Sequence, residues 1–305
     1  MPHLLQAVET GTIAARMLRR NATGHVAAAF DRSFYVDLAG TLLCFGSASL
    51  PMGPINVRLQ SSPEHLDIGT QATVNFCASR IWVPPEPVDW TLDTLRDGLS
   101  AIDVVARRQV PAEGLSCLVF GQGYPATEGP LHRRAARAID SMRQWLSADG
   151  AENMPIEDGV RGLIGLGPGL TPSGDDLLVG TMVALAETQK YDLLDALSAA
   201  VQKNTVKRTS LISAAHLGAA AEGLGAAALH RTIQSIIRAG SGLTENLSDL
   251  ADIGHSSGWD ALAGAVVVLQ QLAFLATPGP EQSRKRFPLI SSSFGNSTAD
   301  FRCQK

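Results

Sequence analysis

Chemistry in this chain concentrates in Gly165-Leu-Gly-Pro-Gly-Leu-Thr-Pro-Ser-Gly-Asp-Asp176, where glycines and prolines crowd a loop that ends in paired carboxylates. Glycines at this density hold backbone in dihedrals closed to other residues, or bring it close to a ligand. The amides of Gly165, Gly167, Gly169 and Gly174, followed by a helix start, form an anion site, with Thr171 and Ser173 as further donors. Adjacent Asp175 and Asp176 suit Mg²⁺ binding or proton transfer. Carboxylates beside a bound anion repel it unless a metal or an arginine intervenes. The spacing of Ser173, Gly174, Asp176, Leu178 and Gly180 is echoed in Ser257, Gly258, Asp260, Leu262 and Gly264. Both Ser-to-Asp spacings also read as capping boxes. Capping accounts for Ser173, Asp176, Ser257 and Asp260, and leaves Gly165, Gly167, Gly169, Thr171 and Asp175 to carry a functional claim.

Other groups have the right types. Lys207-Arg-Thr-Ser210 precedes an apolar helical run, so Arg208 is placed to clamp an anion while Thr209 and Ser210 read as caps. Arg161 is a second cation ahead of the glycine loop. His255, beside Ser256 and Ser257 in a Gly-flanked loop, suits an acid, a base or a donor. His216 and His230 fall on helices and read as structural. The candidate catalytic set is therefore Asp175, Asp176, His255 and Asp260. The candidate substrate-binding set is Gly165, Gly167, Gly169, Thr171, Ser173, Gly174, Arg208, Thr209, Ser210, Ser256 and Ser257. No resident cofactor is indicated; Mg²⁺ on Asp175 and Asp176 is the one option. The loop lacks the Gly-Lys-Ser/Thr ending of a P-loop and the flanking strand and acid of a Rossmann site, and the chain has no Gly-x-Ser-x-Gly elbow and no zinc motif.

The elements that must position these residues fall into two halves. Ser33–Leu38 and Thr41–Phe45 flank a tight turn at Ala39-Gly40; 55–60, 72–78, 80–83 and 117–120 also read as strands. Helical spacing marks 92–107 and 131–146, then 176–188, 192–203, 211–221, 225–239 and 260–275. The expected fold is α+β, a strand-rich half of mixed or antiparallel β followed by an α-helical bundle. The expected division is 1–148, 160–277 and a loose tail at 278–305, with a polar, Gly/Pro-punctuated seam at 149–160. The helices after each Ser-Gly-x-Asp motif are apolar nearly all round, which predicts a central, buried pair.

A chain of 305 residues, 45% hydrophobic and 18% charged with a net charge of −4, has ample core and no basic face. That excludes nucleic acid as the expected partner. The apolar run at 261–276 falls short of a membrane span, and the N-terminus lacks a signal-peptide pattern. Cys44, Cys77, Cys117 and Cys303 have no metal-like spacing, which suits reduced thiols and a cytoplasmic location.

Residues 165–180 resemble the signature of a bacterial family long catalogued as a domain of unknown function, which includes the AllH-type subunit of oxamate carbamoyltransferase. Ile253–Gly264 is similar to that family's second motif, Lys207–Ser213 to a helix start between the two, and Gly53-Pro-Ile-Asn56 to a segment of its strand-rich half. The likeness spans roughly residues 20–275. It implies a carbamoyltransferase subunit in purine (allantoin) nitrogen catabolism, where oxalurate and phosphate give oxamate and carbamoyl phosphate. It also implies partner subunits in a hetero-oligomer. Small anionic substrates of this kind fit a glycine-rich helix start. A Ser-Thr-Arg-Thr carbamoyl-phosphate motif is absent. The alternatives are a Mg²⁺-dependent hydrolase or phosphotransferase using Asp175 and Asp176, and a non-catalytic scaffold subunit whose motifs are caps.

Overall fold

Alternating apolar and polar residues build strands throughout the N-terminal part of the chain. The computed structural model describes residues 3–20, 22–61, 66–120, 129–150, 156–205 and 208–276. It begins β1 (His3–Gly11), α1 (Thr12–Leu18), β2 (Thr23–Ala29), β3 (Ser33–Leu38), β4 (Thr41–Gly46), β5 (Asn56–Leu59), β6 (Gln71–Asn75) and β7 (Arg80–Trp82). The strands form one mixed sheet in the order β5-β4-β3-β2-β6-β1-β7, and a further β1–β5 pairing closes it into a barrel. Ala39 and Gly40 both take positive φ in the β3–β4 turn, where the Gly40 amide donates to Asp37 Oδ1 at 2.6 Å. Phe34 stacks on Phe45 with ring centroids 5.5 Å apart inside the barrel. The cross-strand partners Tyr35 and Cys44 therefore point outward. The strand-rich half is as expected; β1, β2 and α1 were not foreseen.

Helices follow: α2 (Leu92–Gln109), α3 (Cys117–Phe120), α4 (Pro130–Ser147), α5 (Glu157–Leu163), α6 (Ser173–Glu187), α7 (Tyr191–Thr205), α8 (Leu211–Ala221), α9 (Ala227–Ile237), α10 (Leu243–Ala251) and α11 (Ser257–Leu275). Two cores result. One fills the barrel and takes Ile212 and Ala219 of α8; the other joins α2 and α4 to the later helices. So α2 and α4, grouped by sequence with the strand-rich half, pack with the bundle. Part of the expected seam, 157–160, is helix α5; the expected loose tail, 278–305, lies outside the described residues.

Residues 117–120, expected as a strand, form a single helical turn. The reason is tertiary: Asp260 Oδ1 accepts the Leu115 and Ser116 amides at 2.6 and 2.9 Å, which bends the chain just before it. Phe120 then meets Trp259 edge-on, with centroids 6.0 Å apart.

α6 and α11 are the buried pair that their all-round apolarity predicts. They touch backbone to backbone. A Cβ on Gly180 would lie 1.6 Å from the Ala261 carbonyl oxygen, and one on Gly264 would lie 1.9 Å from that of Leu177. Gly174 and Gly258 are matched in the same way, against the carbonyls of Leu163 and Leu250, each at 2.1 Å. The sequence echo is thus a structural repeat, α5–loop–α6 facing α10–loop–α11. α11 is long and apolar enough by composition to cross a membrane, longer than its apolar run suggested, but it is packed as a core helix.

A buried network closes the far end of α6. His230 Nδ1 donates to Glu187 Oε1 at 2.6 Å, His230 Nε2 accepts the Gly225 amide, and Gln234 donates to Glu187 Oε2. Every member is paired, which fits the structural reading of His230.

Gly180→Ala is expected to lower unfolding free energy by ~2 kcal/mol or more, because backbone carbonyls cannot step aside as side chains do. Gly218 lies mid-helix in α8 with nothing near its Cβ position. Gly218→Ala should stabilise by up to ~1 kcal/mol from helix propensity alone. Urea unfolding of both variants separates these outcomes.

Candidate functional site

The close α6–α11 crossing sets the starts of the two helices side by side, and their polar residues interlock. Ser173 and Ser257 are not caps: the N-cap positions are Pro172 and Ser256, and neither makes a side-chain capping bond. Each serine instead sits in the first turn and gives its hydroxyl to the other helix's carboxyl, Ser257 to Asp176 and Ser173 to Asp260. That reciprocity corrects the capping-box expectation. Ser210 does cap α8, accepting the Ser213 amide at 3.0 Å.

Three aspartates meet here, and they differ in what holds them. Asp175 turns toward α8. Its Oδ1 accepts the Gly165 amide at 2.8 Å, and its Oδ2 accepts the hydroxyls of Thr209 and Ser213, the latter at 2.7 Å. Asp260 takes the Leu115 and Ser116 amides on Oδ1 and the Ser256 hydroxyl on Oδ2 at 3.0 Å. A Cβ on Gly114 would lie 2.5 Å from Asp260 Oδ2, and Gly114 has φ +86°. Only glycine passes there. Both carboxyls are clamps, joining the glycine loop to α8 and the 114–116 turn to α11.

Asp176 differs. It is 9% exposed and receives the hydroxyls of Ser257 and Thr171, yet its Oδ2 is buried with no hydrogen-bond partner among the described residues. Burial foremost, then the nearby Asp260 and Asp175 charges, push its carboxyl well above the ordinary range. Asp260 is also raised by burial, against the pull of its donors. A buried acid that keeps its proton can donate as well as accept. Ser116 Oγ, beside Asp260, is the other buried side-chain oxygen left unpaired among the described residues.

The glycine loop uses most of its own amides. Gly174 donates to Leu166, and Asp175 and Asp176 both donate to Pro172. The helix start itself therefore offers an anion less than the sequence suggested. The amides of Gly167, Gly169, Leu170 and Thr171 find no acceptor among the described residues, and 168–170 are exposed. Gly165, Gly167 and Gly169 all have positive φ, so the loop's shape requires them. Leu170 is tied down through its carbonyl, which accepts the Ser210 hydroxyl.

The remaining candidates are spread around this centre. Arg208 donates to the Arg161 carbonyl at 3.1 Å, and Arg134 donates to the carbonyls of Arg161 and Gly162. Arg208 is thus engaged at the end of α5, not over the loop. Lys207 lies outside the described residues. His255 stands at the rim, 82% exposed, with Nε2 3.5 Å from Glu113. Asp175 and Asp176 turn to different neighbours, so the structure does not bring them together as ligands for one Mg²⁺. Among the described residues, no three His, Cys, Asp or Glu side chains gather in a metal-binding group.

Residues 163–269 match the family described as oxamate carbamoyltransferase subunit AllH. That segment is similar to the AllH family. The resemblance carried by the two Ser-Gly-x-Asp motifs is borne out over it, from the last residue of α5 into α11. No curated protein and no solved structure matches the chain. Sequence reasoning treated Asp176 as the less diagnostic carboxylate of the AllH segment and passed over Ser116 and Ser213. The signal for Ser213 was its place one turn after the Arg-Thr-Ser run; nothing local marked Ser116.

Asp175→Ala and Asp260→Ala should each destabilise by ~2 kcal/mol or more, since each strands several buried donors. Asp176→Asn should be neutral or stabilising. The folded-state carboxyl is raised above its ordinary 3.8, so above that pH the folded protein holds a proton the unfolded chain has lost. Wild-type stability therefore drains through this residue as pH rises. The advantage of Asp176→Asn over wild type in denaturant unfolding should widen from pH 4 to pH 7; a constant or shrinking gap contradicts the assignment.

Proposed function

We propose that this chain is a subunit of an oxamate-type carbamoyltransferase, with the paired starts of α6 and α11 as its reaction site. The observation that carries the reading is Asp176, a buried carboxyl with an unpaired oxygen inside a segment that matches oxamate carbamoyltransferase subunit AllH. Partner subunits follow from the word subunit in that description. The pathway is nitrogen recovery from purines through allantoin, and the location is the cytoplasm.

In this reading phosphate attacks the ureido carbonyl carbon of oxalurate. The bond from that carbon to the inner nitrogen breaks, giving carbamoyl phosphate, and oxamate departs as that nitrogen gains a proton. An amide nitrogen leaves poorly as an anion, so the step needs an acid within reach. Asp176 holds a proton because of its burial, and supplies it. The anionic end of the substrate lies at the exposed crest of the glycine loop, where the Gly169, Leu170 and Thr171 amides find no acceptor among the described residues. Nearby Arg134 and Arg208 add a positive field. Repulsion of this anion is limited, because Asp175 turns its oxygens to three donors of its own and Asp176 keeps its proton.

The test is reconstitution with the partner subunits. Carbamoyl phosphate should form from oxalurate and phosphate only when this chain is present. Asp176→Leu should lower kcat at least ~100-fold, in line with loss of a general acid. Equal turnover without this chain would overturn the reading.

A further inference from the structure

Two guanidinium groups share one acceptor at the root of the glycine loop. The Arg161 carbonyl oxygen, in the last turn of α5, receives Arg134 Nη2 from α4 at 3.0 Å and Arg208 Nη2 from the segment before α8 at 3.1 Å. That shared contact keeps the two terminal nitrogens within about 6 Å of each other, where like charges repel. Both residues are exposed. Among the described residues, neither pairs with a carboxylate; Asp158 goes instead to the Arg161 side chain, at 3.7 Å.

Capping of α5 explains one of these cations and not both. A cation at a helix C-terminus satisfies the last carbonyls and complements the dipole. Arg134 does this alone, since its Nε reaches the Gly162 carbonyl at 3.0 Å while its Nη2 reaches that of Arg161. Arg208 adds a second bond to an oxygen already taken. Each guanidinium carries five N–H donors in a rigid fork. Arg134 spends two of them and Arg208 one, so both keep donors to spare. The backbone fixes where Arg208 stands. A Cβ on Gly165 would lie 2.0 Å from the Arg208 carbonyl oxygen, Thr209 donates to Asp175, and Ser210 donates to the Leu170 carbonyl. Residues 208–210 thus follow the loop from its root at Gly165 toward its crest at Leu170.

We infer that Arg134 and Arg208 bind the phosphate group, as inorganic phosphate on one side of the reaction and as carbamoyl phosphate on the other. The inference rests on the carbamoyltransferase reading and adds the place of the second reactant. A phosphate near neutral pH carries more than one negative charge and spreads its oxygens tetrahedrally. One oxygen taken by each fork bridges the two cations and offsets their mutual repulsion. A carboxylate is filled by a single fork, so the pair favours the tetrahedral anion and leaves the substrate's carboxylate to the crest amides. The two anions of the reaction are then held apart along one strip, at its root and at its crest.

The test uses the enzyme reconstituted with its partner subunits, and the full chain alone. In the reconstituted enzyme, Arg208→Gln should raise the KM for phosphate at least ~10-fold, as loss of a charge-assisted hydrogen bond does, and leave the KM for oxalurate within a few-fold. Arg208→Lys keeps the charge, loses the fork, and should raise the KM for phosphate as well. For the full chain, millimolar inorganic phosphate should raise the urea midpoint of the wild type by mass action and not that of Arg208→Gln. Without phosphate the two should unfold alike, since Arg134 still caps α5. An unchanged KM for phosphate in Arg208→Gln, or an equal rise for both substrates, overturns the inference. If turnover still requires this chain in those cases, the functional reading stands and only the phosphate site falls. If turnover is independent of this chain, the functional reading falls and the urea midpoints decide the site. A shift confined to the wild type keeps it; equal shifts, or none, overturn it.

Discussion

Everything in the helical half depends on the contact between two backbones, α6 and α11, at Gly180 and Gly264. A side chain at either position would drive the helices apart, and no neighbouring rearrangement could absorb it, because what lies opposite is a main-chain carbonyl. Close approach at that point brings the two first turns within hydrogen-bonding reach. The serines can then cross over, each to the other helix's aspartate. Gly174 and Gly258 repeat the device one element out, seating each helix start against the carbonyl that ends the helix before it. A pair of short helix–loop–helix units thus becomes one polar centre inside an apolar bundle.

Burying three carboxyls within one centre is unfavourable unless each is neutralised or paired. Asp175 and Asp260 are paired fully, and through them the glycine loop, α8 and the 114–116 turn are held in register. Asp176 is the residue where pairing stops. Burial first, and then its neighbours' charges, push its carboxyl well above the ordinary range. The clamps set the geometry around it. The barrel comes near this centre from outside the matched segment, with Tyr35 within electrostatic range of Asp176. That arrangement accounts for why the strand-rich half is joined to the bundle through α8, which is shared by both cores.

Much of this was legible in the order of residues. Period-two runs marked β3 to β7, and helical spacing marked α2, α4 and α6 to α9. The near-total apolarity of α6 and α11 announced a buried pair, and the Ser-Gly-x-Asp echo announced their kinship. What could not be read was anything set by contacts between distant segments. Cys117–Phe120 has a strand's composition, but Asp260, far along the chain, bends the turn before it into a helix. Ser173 and Ser257 have the local spacing of caps, and only the helix crossing reveals that their hydroxyls point across the pair. Which of Asp175 and Asp176 is fully paired was hidden for the same reason: adjacent carboxyls on a helix start diverge by about 100°, and which one meets donors depends on α8 and α11, not on their neighbours in sequence.

A family-matched segment and a buried, incompletely paired carboxyl meet at the paired starts of α6 and α11. The most direct measurement is a crystal structure of the full chain with oxamate bound. The account predicts oxamate with its amide nitrogen at Asp176 and its carboxylate toward the Gly169–Thr171 crest. Oxamate found elsewhere, with the Asp176 side chain as it is without it, would contradict the central claim.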